Sequence, residues 1–222
     1  MKLLLVCGPW GSGTSLVAGL LAKLGAVGFG PFLRINDDRT GNSYELIAFR
    51  SLVQTLASER NLALNPGIDP KESLRNFRDR ILNQEFGSYD ENAGRPIFLK
   101  HPLSALVIPQ ICEVFDTRLI YVVRSMQDIE ATRKRRRWPE HFGIKGAELI
   151  YTCMFTALVN YEFPTTILRY PELLASPMEH VRKLMDFTGL TRSAGLMQEA
   201  SEFVRKPESV NILHERLLPP KS

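Results

Sequence analysis

Short apolar runs along this chain alternate with longer stretches in which apolar positions recur every three to four residues. The runs at 2–7, 96–99, 118–123 and 165–168 are rich in Leu, Ile and Val and predict buried strands. Arg118 to Val123, apolar after its first residue, is what a central parallel strand requires. Helical spacing follows each run: Leu16 to Leu24, Ser43 to about Arg60, 71–86 with an exposed amphipathic pattern, and Ser104 to Phe115. It continues from about Gln127, over 141–160 across a break at Pro139, and over 178–188 and 192–203. Turn residues dominate Gly25–Asn42, 61–70 and Tyr89–Arg95. This alternation predicts an α/β domain spanning 1–222, a three-layer fold with a parallel sheet of about four to five strands flanked by helices.

Ligands of such sheets bind beyond the carboxyl ends of the strands. Those ends carry Lys100-His101, Arg124-Ser125, Arg169-Tyr170 and, after the first strand, Gly8-Pro9-Trp10-Gly11-Ser12-Gly13-Thr14-Ser15. The last of these is a glycine-rich turn between strand and helix, the setting in which backbone N–H groups converge on a phosphate. Ser12, Thr14 and Ser15 are expected to add hydroxyl donors. Thr14 stands where a nucleoside triphosphatase has lysine, which argues against a nucleotide kinase and for a donor with a smaller charged group at its 5′ end.

The chain has 222 residues, a net charge of +4 and a sequence pI near 9.0. That balance leans towards an anionic ligand without implying nucleic acid. The basic run Arg133-Lys134-Arg135-Arg136-Arg137 reads as a solvated helix face or as a guide for an anion, and it lacks the interleaved aromatics of a nucleic-acid site. Cys7, Cys112 and Cys153 are widely spaced in apolar surroundings, as expected of reduced thiols in a cytoplasmic protein. His101, His141, His180 and His214 lack metal-ligand spacing, so no metal is expected. The apolar segment near the N-terminus is too short for a signal peptide, and no stretch is long enough to span a bilayer. Composition does not specify the oligomeric state.

Three motifs in series resemble the sulfotransferases that use 3′-phosphoadenosine 5′-phosphosulfate (PAPS), particularly the bacterial branch. Gly11-Ser12-Gly13-Thr14-Ser15 is similar to the family's 5′-phosphosulfate loop. Arg118 to Thr132 is similar to its strand–arginine–helix element, with Arg124 and Thr132 at the positions that hold the 3′-phosphate. Leu168-Arg169-Tyr170, continuing to Pro177, is similar to the stretch whose tyrosine lies near the adenine. The resemblance covers most of 2–190 and implies a P-loop fold, PAPS as donor, adenosine 3′,5′-bisphosphate (PAP) as product, and a small-molecule or saccharide acceptor.

It also implies a cation immediately before Ser12, where this sequence has Gly11; Lys100 is the first candidate to replace it. Leu16 stands where animal members stack a tryptophan on adenine, and Trp10 is an alternative. The carboxy-terminal lysine–glycine motif of the animal enzymes is absent, with Arg205-Lys206 a possible substitute or a solvated pair. Two residues compete for the base. Glu45, in Asn42-Ser43-Tyr44-Glu45, resembles a bacterial element that supplies a carboxylate, although a carboxylate at a helix start is also favoured by the dipole. His101 lies one position before the place of the animal enzymes' histidine, which Pro102 occupies without a gap. The expectations are therefore a sulfotransferase with Glu45, His101 and Lys100 as catalytic candidates, or a degenerate relative that binds PAP without turnover.

Overall fold

A computed structural model describes residues 1–35, 42–90, 93–190 and 193–205. Four strands, β1 (Lys2–Cys7), β2 (Ile97–Lys100), β3 (Asp116–Val123) and β4 (Thr165–Arg169), form an all-parallel sheet in the order β2-β1-β3-β4. Because side chains alternate across a strand, the apolar runs feed two cores. Leu3, Leu5, Cys7, Leu99 and Tyr121 face one layer, with helices α2 (Ile47–Leu56), α3 (Pro70–Leu82), α4 (Ile108–Val114) and α6 (Ile144–Asn160). Leu4, Val6, Phe98, Ile120 and Val122 face the other, with α1 (Thr14–Lys23), α8 (Pro177–Thr188) and α9 (Ala194–Arg205). The result is the expected three-layer α/β arrangement.

The departures from the expected boundaries have local causes. The helix expected over 104–115 is a 3-10 turn, Pro102–Val107, followed by α4, which restarts at Ile108. Pro109 cannot donate into a preceding helix but fits the first turn of a new one. Helix α2 begins at Ile47 rather than Ser43 because Tyr44 has φ 55, outside the helical region. A short helix, α7 (Tyr170–Ala175), to which the sequence pattern assigns no element, follows β4, with Pro171 in its first turn. The 71–86 pattern becomes α3, which is capped by Asp69 and buries Leu74, Phe77 and Ile81. Helix α5 (Met126–Arg136) starts at Ser125, whose hydroxyl accepts from the Asp128 N–H, and ends where Arg137 turns to φ 52.

The connections after β1 and β3 leave on opposite faces of the sheet: α1 packs in one core, and α6, reached through α5, in the other. Adjacent strands whose connections diverge in this way leave a crevice at their carboxyl ends. Gly8–Ser15 and Arg124 both lie there. Among the described residues no helix is long and apolar enough to cross a membrane. Cys7, Cys112 and Cys153 are free, and burial pushes the Cys7 thiol up to about 12.

Candidate active site

A cleft of about 530 Å³ opens at the crevice, within the usual size range of small-molecule sites. Its floor is the glycine-rich turn. Gly11 and Gly13 adopt φ 80 and 103, and Gly13 is the N-cap of α1 with no side-chain cap. The amides of Thr14 and Ser15 thus begin a helix with no carbonyl one turn behind them, and the first turn carries no acidic residue. An anion is the natural partner for such an end. Gly11, Gly13, Thr14 and Ser15 line the cleft. Ser12 does not: it is fully buried, and its hydroxyl donates to the Pro9 carbonyl at 2.8 Å, which closes the turn instead of facing a ligand.

Arg124, at the end of β3, brings the second motif to the first. Its Nη1 donates to the Gly11 carbonyl at 3.0 Å and to Thr132 Oγ1 at 3.3 Å, and its guanidinium lies 4.6 Å over the Tyr170 ring. The Tyr151 hydroxyl, on α6, accepts from the Arg124 N–H at 2.8 Å and donates to the Arg124 carbonyl at 3.0 Å, fixing the strand end. The ring of Tyr170 is seated on Gly13, where any Cβ would fall inside it. Arg124, Thr132 and Tyr170, separated in sequence, thus converge on the loop.

A Gly13→Ala variant should therefore lose about 1–3 kcal/mol from the positive φ alone, and more from displacing Tyr170. Urea midpoints at unchanged slope measure it, and Gly13→Ala combined with Tyr170→Ala should recover the steric part only.

A chain of charges forms the side of the cleft next to β2. Lys100 Nζ, only 3% exposed, donates to Glu45 Oε1 at 2.6 Å, to the Ser43 carbonyl at 3.1 Å and to Ser15 Oγ at 3.3 Å. Arg50 reaches Glu45 Oε2 at 3.4 Å and Glu59 Oε1 at 3.2 Å. Glu45 is held in place by its loop: its N–H donates to Ser43 Oγ, whose hydroxyl donates to the Leu33 carbonyl, while the Tyr44 N–H donates to Asn42 Oδ1. Burial alone would raise the Glu45 carboxyl, but the attractions led by Lys100 outweigh it and hold the group below the usual carboxylate range. Burial pushes the neighbouring Tyr44 phenol up to about 12, so it stays protonated near neutral pH.

Because the Glu45 carboxyl is more acidic folded than unfolded, acid protonates the unfolded chain first. This pair's stabilisation is fully present above the unfolded carboxylate range and is lost as pH falls through the lowered value. Acid titrations of stability should show that component in the native protein and not in an Glu45→Gln, Lys100→Met double variant.

His101 is fully buried and does not line the cleft. Its Nδ1 accepts from the Leu103 N–H at 3.2 Å, capping the 3-10 turn, which leaves the ring proton on Nε2, 3.6 Å from Glu59 Oε1. Trp10 stacks on Phe142 at 4.2 Å, and both line the cleft with Trp138. Leu16 lines it too, as do Leu174, Phe203 and Val204. Arg50, Glu59 and Tyr151 had no signal in the sequence: each occupies an ordinary helix or loop position, Arg50 meeting carboxylates five and nine residues away at no regular helical spacing and Tyr151 reaching back 27 residues to Arg124. Asn36 to Gly41, Lys206 and His214, and the Arg205 side chain, lie outside the described residues.

No protein-family model and no curated protein matches this sequence. Solved structures do. Sulfotransferase STF1 from Mycobacterium tuberculosis H37Rv aligns over 97% of this chain and 76% of its own, with a TM-score of 0.64 at 13% identity. STF9 from Mycobacterium avium aligns over 92% and 68%, with a TM-score of 0.58 at 14% identity. The sulfotransferase domain from the curacin biosynthetic pathway aligns over 88% and 76%, with a TM-score of 0.52 at 18% identity. Likeness at such low identity speaks for architecture, and in architecture this chain has the sulfotransferase fold.

Proposed function

We propose that the protein is a PAPS-dependent sulfotransferase acting on a hydroxyl of a small-molecule or saccharide acceptor. One observation carries the reading: a single guanidinium, Arg124, bonds both the Gly11 carbonyl of the anion-binding turn and Thr132, so one nucleotide can meet both. The residues fit a bisphosphate. Arg124 Nε is buried without a hydrogen-bond partner among the described residues, its nearest counter-charge being Asp128 Oδ2 at 3.8 Å, and the helix end beside it is uncapped. Arg124 and Thr132 would hold the 3′-phosphate, the amides of 11–15 with the hydroxyls of Thr14 and Ser15 the 5′ end, and Tyr170 the neighbourhood of the base. PAPS, when bound, supplies the sulfuryl group, whose bond to the bridging phosphate oxygen breaks as a bond to the acceptor oxygen forms.

Glu45 takes the acceptor proton in this reading, because it lines the cleft whereas His101 lies behind it. Its pairing with Lys100 gives that step a consequence. A proton arriving on Glu45 leaves the ammonium without its counter-charge, 3.3 Å from Ser15, as negative charge grows on the departing oxygen. Lys100 thereby assists through the loop rather than as a free cation.

Gly11 favours a second reading, PAP binding without turnover. Transfer of labelled sulfate from PAPS into a pool of hydroxyl acceptors separates the two. Labelled ester is expected; saturable PAP binding with no ester from any acceptor would leave the second reading standing.

A further inference from the structure

Helix α2 ends at Leu56, and the chain folds straight back in a tight turn. Ala57 bridges to Leu64, the Ser58 N–H donates to the Ala63 carbonyl, and the Leu62 N–H donates to the Ser58 carbonyl, both at 2.9 Å. Leu62 is buried and closes the turn at φ 52, a conformation that disfavours residues other than glycine. The turn returns Glu59 to the side of α2, where its carboxylate meets Arg50.

Arg50 is strung between two carboxylates rather than seated on one. Its Nη1 lies 3.4 Å from Glu45 Oε2 and its Nη2 3.2 Å from Glu59 Oε1. Both are longer than the about 2.7–2.9 Å of a tight charged bond, and an unshared guanidinium commonly closes both arms on one carboxylate. Behind Glu59 lies His101, whose Nε2 is buried without a hydrogen-bond partner among the described residues, 3.6 Å from Glu59 Oε1. That proximity, ahead of Arg50, holds the Glu59 carboxyl below the usual carboxylate range, so it is ionised near neutral pH. Glu45 and Arg50 line the cleft, as do Tyr44 and Arg34, whereas Glu59 and His101 do not. Lys100, His101 and Arg50 all act on the Glu45 carboxyl. Its Oε1 is taken by Lys100, which leaves Oε2 as the oxygen able to receive a proton.

We propose that Glu59 is a positioning residue for the base: backed by His101, it keeps Arg50 from closing on Glu45 and so leaves Oε2 open to the acceptor's proton. This rests on the reading of Glu45 as that base. Freed from Glu59, the guanidinium would cover Oε2 and make the carboxylate a weaker base.

Carbon-13 NMR titration of the Glu45 side chain in the native protein, Glu59→Gln, Arg50→Met and the double variant tests it with no donor present. Glu59→Gln should move the Glu45 titration about one unit to lower pH, and Arg50→Met should move it up. In the double variant Glu59→Gln should add almost nothing to Arg50→Met, because Glu59 acts through the guanidinium. Glu59→Asp, which withdraws the carboxylate, should shift Glu45 in the same direction as Glu59→Gln and serves if the amide variant fails to fold. An equal downward shift with and without Arg50, or none in either background, would overturn the proposal. In transfer assays Glu59→Gln should lower kcat about tenfold at unchanged KM for PAPS and move the acid limb of the pH profile down. A fall in kcat with the limb in place would mean that Glu59 only supports the fold. A native protein that titrates as expected yet transfers no sulfate would refute the base reading and leave the shared Arg50 standing.

Discussion

Glu45→Gln should abolish sulfuryl transfer while leaving PAP affinity within about twofold, and should lower the melting temperature at the same time. The two effects share one cause. The native carboxylate is 2.6 Å from a lysine that is 3% exposed, so its removal leaves a buried ammonium with only neutral oxygens around it. Breaking one side of a buried pair costs about 3–5 kcal/mol, and 3 kcal/mol corresponds to roughly 6–12 °C in a chain of this size. The amide also cannot accept the acceptor's proton. Adding Lys100→Met to Glu45→Gln should return much of the stability, because both charges are then gone, but none of the transfer. Thermal melts and PAP titrations on the single and double variants check this. Unchanged turnover in Glu45→Gln would take Glu45 out of the chemistry even if the melting temperature fell.

Arg124→Ala should weaken PAP by roughly 10- to 150-fold, the value of a charge-assisted hydrogen bond of about 1.5–3 kcal/mol. Adenosine 5′-monophosphate, which lacks the 3′-phosphate, should lose far less. The variant should therefore bind the two nucleotides almost alike, and that loss of discrimination is the diagnostic reading. Some loss on the monophosphate is expected as well, since Arg124 also bonds the Gly11 carbonyl and packs on Tyr170, helping to shape the loop. A loss equal for both nucleotides would mean that Arg124 acts only as such a support.

The fold was largely legible because apolar runs and turn chemistry agree along the chain. Leu3 to Cys7 and Leu119 to Val122 can only be buried on both faces, and Gly13, Ser125 and Gly189 mark helix ends by local rules. What sequence reasoning missed was in part local proline chemistry and in part tertiary placement. Proline chemistry restarts a helix at Ile108 and opens one at Tyr170, whereas Tyr44 enters a positive φ because residues 42–45 are tied to Leu33 by hydrogen bonds from both sides.

Within the site, the residues at strand ends could be anticipated, since a parallel sheet delivers them to one crevice. The partners of those residues could not. Nothing in the spacing of Glu45, Arg50 and Glu59 shows that one guanidinium is shared between two carboxylates. Ser12 illustrates the converse: its place in the motif suggested a ligand contact, and the turn used its hydroxyl for itself. The basic run looked uniform in sequence, yet the helix divides it between a structural Arg133 and a cleft-lining Arg135 and Arg136.

The central claim is that one adenosine bisphosphate is held from both sides of the crevice. A crystal structure with PAP bound tests it most directly. The account predicts the 5′-phosphate on the amides of 11–15, the 3′-phosphate on Arg124 and Thr132, and the base beside Tyr170. Density for PAP elsewhere, or a 3′-phosphate that leaves Arg124 on the Gly11 carbonyl and turned away from the ligand, would contradict it.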